Sequence, residues 1–265
     1  RDYWVEAGKG AREIAADMGR ELGTPCINNI WVPDGLKDMP ANRLLYREHL
    51  RESLDRIFEK RLDRSLMRDV LEGKVFGIGT ESFTVGSHEF YLAYAAGHHV
   101  GICMDTGHYH PTENVADKLS AVVPLIDDVL LHISRGLRWD SDHVLIQGDD
   151  LSALMQEMKR GGFFHQVGMG LDYFDASINR VAAWVIGLRA AGKAMLTALL
   201  EPSALLEQAE ADGDFTARLA LTEEFKNLPA NAVWEYLCLQ EGVPVGTDWL
   251  TVLRRYEQDV QSKRR

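Results

Sequence analysis

Short apolar runs recur along this chain, each followed by a polar loop and then by a stretch with apolar residues at helical spacing. That rhythm limits the fold class more than any other feature. Strand, loop and helix repeated in this order require parallel strands joined by crossover helices. The apolar runs are Cys26 to Trp31, Val75 to Thr80, Val100 to Met104, Val129 to Ser134 and Val167 to Leu171. Helical spacing marks Ala11 to Leu22, closed by Gly23, then Asn42 to Arg61, Ser87 to Ala96, Val115 to Leu125 and Asn179 to Leu200. Beyond Pro202 the pattern is helical only: Ala204 to Ala211, Phe215 to Leu228, Ala230 to Glu241 and Thr247 to Gln261. The expectation is an α/β fold of about five βα units followed by C-terminal helices.

Such units build either an open doubly wound sheet or a barrel. The glycine-rich dinucleotide loop is missing, because Gly77-Ile78-Gly79 lies inside an apolar run and lacks the third glycine. The polar residues favour a barrel. Potential metal ligands fall at the C-terminal ends of the runs, the face on which (β/α)8 barrels place their sites. The reading is a partial (β/α)8 TIM barrel over residues 1–200 with a helical extension, 201–265, expected to pack on it. The 265 residues are ample for a real core, and 46% hydrophobic with 26% charged residues is ordinary globular composition. A formal net charge of -11 argues against nonspecific nucleic-acid binding. Cys26, Cys103 and Cys238 form no CxxC pair, which suits reduced thiols in a cytoplasmic protein. No apolar run is expected to reach the ~20 residues that span a bilayer. The N-terminus shows neither a signal-peptide pattern nor an initiator Met, as in a truncated chain.

Four positions at strand ends stand out: Glu81, Asp105, His132 and Asp172, with His108 three residues beyond Asp105. A buried carboxylate is costly unless paired or metal-bound. Helix caps for Asp105 or Asp172, and a salt bridge for Glu81, are the alternatives for single residues. Repetition at one end of successive strands favours a cation site, and three carboxylates with one imidazole suit Mn2+, Mg2+, Zn2+ or Co2+. In the segment RWDSDH, Asp140 and Asp142 face the same way if the backbone is extended, and with His108 they form a second candidate site. The bland alternative is a solvated acidic turn. His110 reads as a loop histidine bonded to its neighbours, and His98 with His99 falls at the wrong end of the barrel. His143 is left unassigned. Trp31 is either core packing or an apolar wall for a sugar ring.

These residues resemble the L-rhamnose isomerase family. The likeness runs through NIWVPDG (29–35), FGIGTESFTVGS (76–87), MDTGHYHPTE (104–113), LLHISRGLRWDSDHV (130–144), GLDYFDASINRVAAWVIG (170–187) and TARLALTEEFKNLP (216–229). It implies a metal-dependent aldose–ketose isomerase, assembled as a homotetramer, that interconverts L-rhamnose and L-rhamnulose by a 1,2-hydride shift or through an enediol. By position it implies a structural cation site, Mn2+ or Zn2+, at Glu81, Asp105, His132 and Asp172. It implies a catalytic Mn2+ site at His108, Asp140 and Asp142, and a sugar-stacking role for Trp31. Asp172, Asp140 and His108 are the implied catalytic groups. Sugar isomerases of the wider barrel group often carry a lysine two residues after the glutamate; counted from Glu81 that position is Phe83, so no lysine contact to the sugar's O1 is expected. The family also has barrel strands before the first one seen here, so the chain reads as an N-terminally truncated portion covering units four to eight. An inactive metal-binding fragment, or another two-metal barrel enzyme such as an epimerase or metallohydrolase, are the alternatives.

Overall fold

The first strand of the fold begins where a helix is stopped by local chemistry. In the computed structural model, which describes residues 1–32, 35–75, 82–137, 142–175 and 177–264, helix α1 (Asp2–Leu22) ends at Gly23 with φ 69. That left-handed turn is the usual helix C-cap. Strand β1 (Cys26–Ile30) follows at once. Helix α2 (Arg43–Ile57) starts at Asn42, whose Oδ1 accepts the Leu45 N–H at 3.2 Å. Strand β2 (Met67–Glu72) leads to α3 (His88–His98), capped by Ser87. Strand β3 (Gly101–Asp105), helix α4 (Ala116–Val122), strand β4 (Val129–Ile133), helix α5 (Asp149–Arg160) and strand β5 (Val167–Leu171) continue the alternation. Helix α6 (Arg180–Leu200) then opens an all-helical stretch: α7 (Ser203–Ala211), α8 (Phe215–Phe225), α9 (Ala230–Gln240) and α10 (Trp249–Asp259).

The five strands form one parallel sheet in the order β1-β2-β3-β4-β5, so each pairs with its sequence neighbour. This is the α/β architecture of a partial TIM barrel. Sheet order without reversal carries every strand's C-terminal end to the same rim. Alternation puts Ile27, Val70, Cys103 and Leu130 together in one inner layer. The sheet curls strongly: a Cβ on Gly168 of β5 would lie 2.9 Å from Ile27 Cδ1 of β1. The two edge strands thus face each other across the interior, and only a residue without a side chain fits between them.

The chain divides into two compact units, Arg1–His143 with Phe163–Tyr173, and Val144–Gly162 with Phe174–Arg265. The first contains the sheet and α1 to α4. There Arg12 of α1 is buried, its Nε donating to Asp69 of β2 at 2.9 Å and its Nη1 to the carbonyls of Ile57 and Lys60 at 2.7 and 2.9 Å. The second holds α5 to α10. Its centre is α6, whose small residues Ala182, Ala183, Gly187, Ala190, Ala194 and Ala198 are buried, and α5 and α9 pack against this helix.

Three sequence expectations change. The second strand among the described residues is β2, Met67–Glu72, ahead of the expected run Val75 to Thr80, of which Phe76 onward, with Glu81, lies outside the described residues. The run VFGIG carries the stronger apolar signal, whereas Arg68 and Asp69 interrupt MRDVLE; the pairing of Arg12 with Asp69 is what makes that interruption tolerable. Helix α5 has no counterpart in the sequence reading, although Leu151, Leu154, Met155 and Met158 line its buried side. The expectation that no segment is long and apolar enough to cross a bilayer fails for α6, which meets that test by length and composition, its side chains being mostly small or aliphatic.

Candidate metal centre

Strand polarity and pleat decide which side chains meet at the rim. Glu72 is the last residue of β2, Asp105 the last of β3, His132 the fourth of β4, and Asp172 follows β5 directly. Asp105 pairs in register with His132, and His132 with Gly170. Ligand atoms of Glu72, Asp105, His132 and Asp172 all lie within 4.8 Å of one another. His132 Nδ1 stands at the middle, 3.1 Å from Asp172 Oδ2, 3.3 Å from Glu72 Oε2 and 3.8 Å from Asp105 Oδ2. Glu72 is steadied from β1, where the Asn29 amide donates to Oε2. Its other oxygen lies 3.0 Å from His108 Nδ1.

A second group, Asp105, His108 and Asp142, shares Asp105 with the first. The turn after β3 builds it. Asp105 Oδ1 accepts the Gly107 N–H at 2.6 Å and the Ser134 hydroxyl at 3.2 Å. The Thr106 hydroxyl donates to the Ser134 carbonyl and accepts the Ser134 N–H, locking the β3 and β4 ends together. Beyond β4 the backbone folds back, with Arg135 and His143 exchanging N–H···O bonds of 3.1 and 3.2 Å. That return carries Asp142 to Gly107: a Cβ there would meet Ser134 Oγ at 2.8 Å, Asp142 Oδ1 at 3.1 Å and Asp105 Oδ1 at 3.2 Å. His88 supports the same turn. Burial lowers its pKa, and its Nε2 donates to the His108 carbonyl at 2.9 Å while the ring stacks on Tyr109.

The electrostatics call for a cation. Asp105 is wholly buried, and its Oδ2 has no hydrogen-bond partner among the described residues. Burial, with the charge of Glu72 adding to it, raises the Asp105 pKa to about 7. Burial works against ionisation of Glu72 too, but the His108 and His132 rings, 3.0 and 3.3 Å away, outweigh it and hold the carboxyl at about 2. Burial likewise opposes charge on His132, yet its close approach to Asp172, Cys103 and Glu72 carries its pKa up to about 12. The cluster thus favours positive charge at its centre, and a divalent ion there would compete with a proton on His132. Buried oxygens with one or two imidazole nitrogens fit Mn2+, Zn2+ or Co2+. An ion so held is able to orient and polarise oxygen atoms of a bound molecule.

Of the residues singled out from the sequence, Asp105, His132 and Asp172 lie in one group and Asp105, His108 and Asp142 in the other; Glu81 and Asp140 lie outside the described residues. The glutamate that the described structure places in the cluster is Glu72, which the sequence reading missed with its strand. The signal available was Glu72-Gly73-Lys74: two residues after the clustered glutamate stands a lysine, not Phe83. Lys74 is buried; its Nζ donates to the Val32 carbonyl and lies 4.7 Å from the centroid of the Trp31 ring. Trp31, just past β1, also lines a cavity of about 710 Å3 between α1, β1 and α2. His110 bonds to the Thr112 hydroxyl at 2.7 Å and belongs to neither ligand group. His98 stacks on Tyr94 at the far end of the strands, as expected of a structural residue.

A family model described as L-rhamnose isomerase (RhaA) matches residues 1–264. The L-rhamnose isomerase of Rhodopirellula baltica is 53% identical over 264 residues, covering 100% of this chain and 62% of its own length. Those of Citrobacter koseri and Salmonella newport are each 50% identical over 264 residues, covering 100% of this chain and 63% of theirs. The chain thus spans less than two thirds of the length of these relatives.

Proposed function

The chain belongs to the L-rhamnose isomerase family, and from that premise we propose that the rim cluster serves the interconversion of L-rhamnose and L-rhamnulose. One observation carries the reading. Asp105 spends one oxygen on two structural hydrogen bonds and holds the other, buried and unbonded, among Glu72, His132 and Asp172. Burying a carboxylate oxygen without a hydrogen bond is costly, and a cation at this point would offset that cost. Our assignment is Mn2+ at His108 and Asp142, with Asp140 as a further ligand, and Mn2+ or Zn2+ at Glu72, Asp105, His132 and Asp172. When bound, these ions supply Lewis acids that hold and polarise the sugar's carbonyl and neighbouring hydroxyl oxygens.

The protein's own groups do the rest. Lys74, fixed by Val32 and Trp31, is our candidate for the donor to O1, where negative charge develops as hydrogen moves between C1 and C2. Trp31 provides an apolar wall for the C–H face of the sugar. Asp172 is half exposed, unlike Asp105, and is suited to pass the proton between O2 and O1, with Asp140 as the other candidate. A 1,2-hydride shift is our preferred route; complete exchange of the transferred hydrogen with solvent would remove it. We further read residues 1–200 as barrel units four to eight and 201–265 as the helical extension. The complete enzyme is proposed as a cytoplasmic homotetramer, supported by the free thiols and by exposed Trp184, Leu188, Phe215 and Tyr236. The five-stranded sheet supports a second reading for the 265-residue chain taken alone: cation binding without turnover.

The test is Mn2+-dependent conversion of L-rhamnose, followed by NMR, for the gene product carrying this sequence and for the 265-residue chain beside it. The gene product is expected to form L-rhamnulose and to leave phosphodiesters intact. Lys74→Met should lower kcat by roughly 100-fold or more. Phosphodiester hydrolysis, or no ketose with any divalent ion, would discard the isomerase reading.

A further inference from the structure

We propose that Cys103 is an alternate sulfur ligand at the floor of this centre, giving it a soft coordination mode for Zn2+, Co2+ or Cd2+ that Mn2+ does not use. The inference rests on the reading that Glu72, Asp105, His132 and Asp172 hold a divalent cation. Cys103 lies on the inner face of β3, two residues before Asp105, and is in register with Glu72 of β2. Its Sγ and ligand atoms of Glu72 and His132 all fall within 4.8 Å of one another. The thiol is 1% exposed and forms no disulfide.

A second observation marks the same place as a cation position. Asp105 Oδ2, fully buried and without a hydrogen bond among the described residues, faces Nδ1 of His132, a residue of the sulfur trio, at 3.8 Å. Glu72 and His132 are thus common to two half-sites, one completed by carboxylates above and one by sulfur below. Hard ions choose oxygen, while thiolate selects softer ones. Tetrahedral zinc holds its ligand atoms roughly 3.5 Å apart, a spacing within the 4.8 Å that bounds the sulfur trio. When a Co2+ ion takes this position, a cobalt–sulfur bond forms as the S–H bond breaks, the proton passes to buffer, and no electron is transferred.

The metal-free 265-residue chain is titrated with Co2+, following the near-ultraviolet sulfur-to-cobalt absorbance while bound metal is counted by atomic absorption. Wild type, Cys103→Ser and Cys238→Ser are compared; Cys238 lies in the other unit. The band is expected in wild type and in Cys238→Ser and lost in Cys103→Ser. Co2+ affinity should fall on the order of 10-fold in Cys103→Ser, with Mn2+ affinity unchanged by paramagnetic resonance. Because Cys103 packs in the inner layer, cadmium NMR of the wild-type chain gives a reading that needs no variant. A resonance in the thiolate range supports the sulfur ligand; one in the oxygen and nitrogen range overturns it. Bound Co2+ without the band also overturns it and leaves the carboxylate site standing. No bound Co2+ at all overturns both.

Discussion

Asp105 divides its two oxygens between scaffold and chemistry, and the scaffold half depends on Gly107. The Gly107 N–H that Asp105 accepts comes from a residue with no room for a side chain, since Ser134, Asp142 and Asp105 close around its Cα. Gly107→Ala should push Asp142 away and lower divalent-ion affinity about 10- to 100-fold, as losses of supporting contacts do. Calorimetric titration with Mn2+ checks this, and an unchanged affinity would detach Asp142 from the site. Most of this cluster was legible because Asp105, His132 and Asp172 sit in or directly after clean apolar strands. Glu72 was not, because recognising it requires knowing that Arg12, fifty-seven residues before Asp69, neutralises a charge within its strand.

At the scale of elements, α1 is held to the sheet by that same pair. The side chains of Arg12 and Asp69 are 6% and 10% exposed, and Asn28 gives Asp69 a further hydrogen bond of 3.0 Å. Arg12→Leu should cost about 3–5 kcal/mol, because it leaves Asp69 without its cation and the Ile57 and Lys60 carbonyls without their donor. Urea unfolding of the chain measures this; a change below ~1 kcal/mol would mean the pair is only a surface contact. Elements announced by their own periodicity were readable. Strand β5 matches its expected limits, Val167–Leu171, and α6 differs only in giving Asn179 to the cap. Elements that depend on distant partners were not. The first nine positions of α1 carry two glycines and a weak pattern, and they gain order from contacts such as the Arg56 pairing to Asp2 at 2.7 Å.

For the molecule as a whole, the rim gathers Glu72, Asp105, Asp142 and Asp172 around two histidines, so an ion bound there would couple to folding. An ion present at 100 times its dissociation constant adds about 2.7 kcal/mol to the folded state. Removing divalent ions with a chelator should therefore lower the melting temperature by roughly 5 to 10 °C, and restoring Mn2+ or Zn2+ should return it. Scanning fluorimetry reads this directly; identical melting with and without chelator would mean that no ion is held. Parallel order and the polarity of the rim were both foreseen from the alternation of runs. The curl of the sheet was not, because it is set by volume across strands distant in sequence. At Gly168 the interior is narrow: a Cβ there would lie 2.9 Å from Ile27 and 3.3 Å from Leu130. A missing side chain at this position thus lets the first and last strands lean together, and a methyl group there would pry them apart beneath the charged mouth.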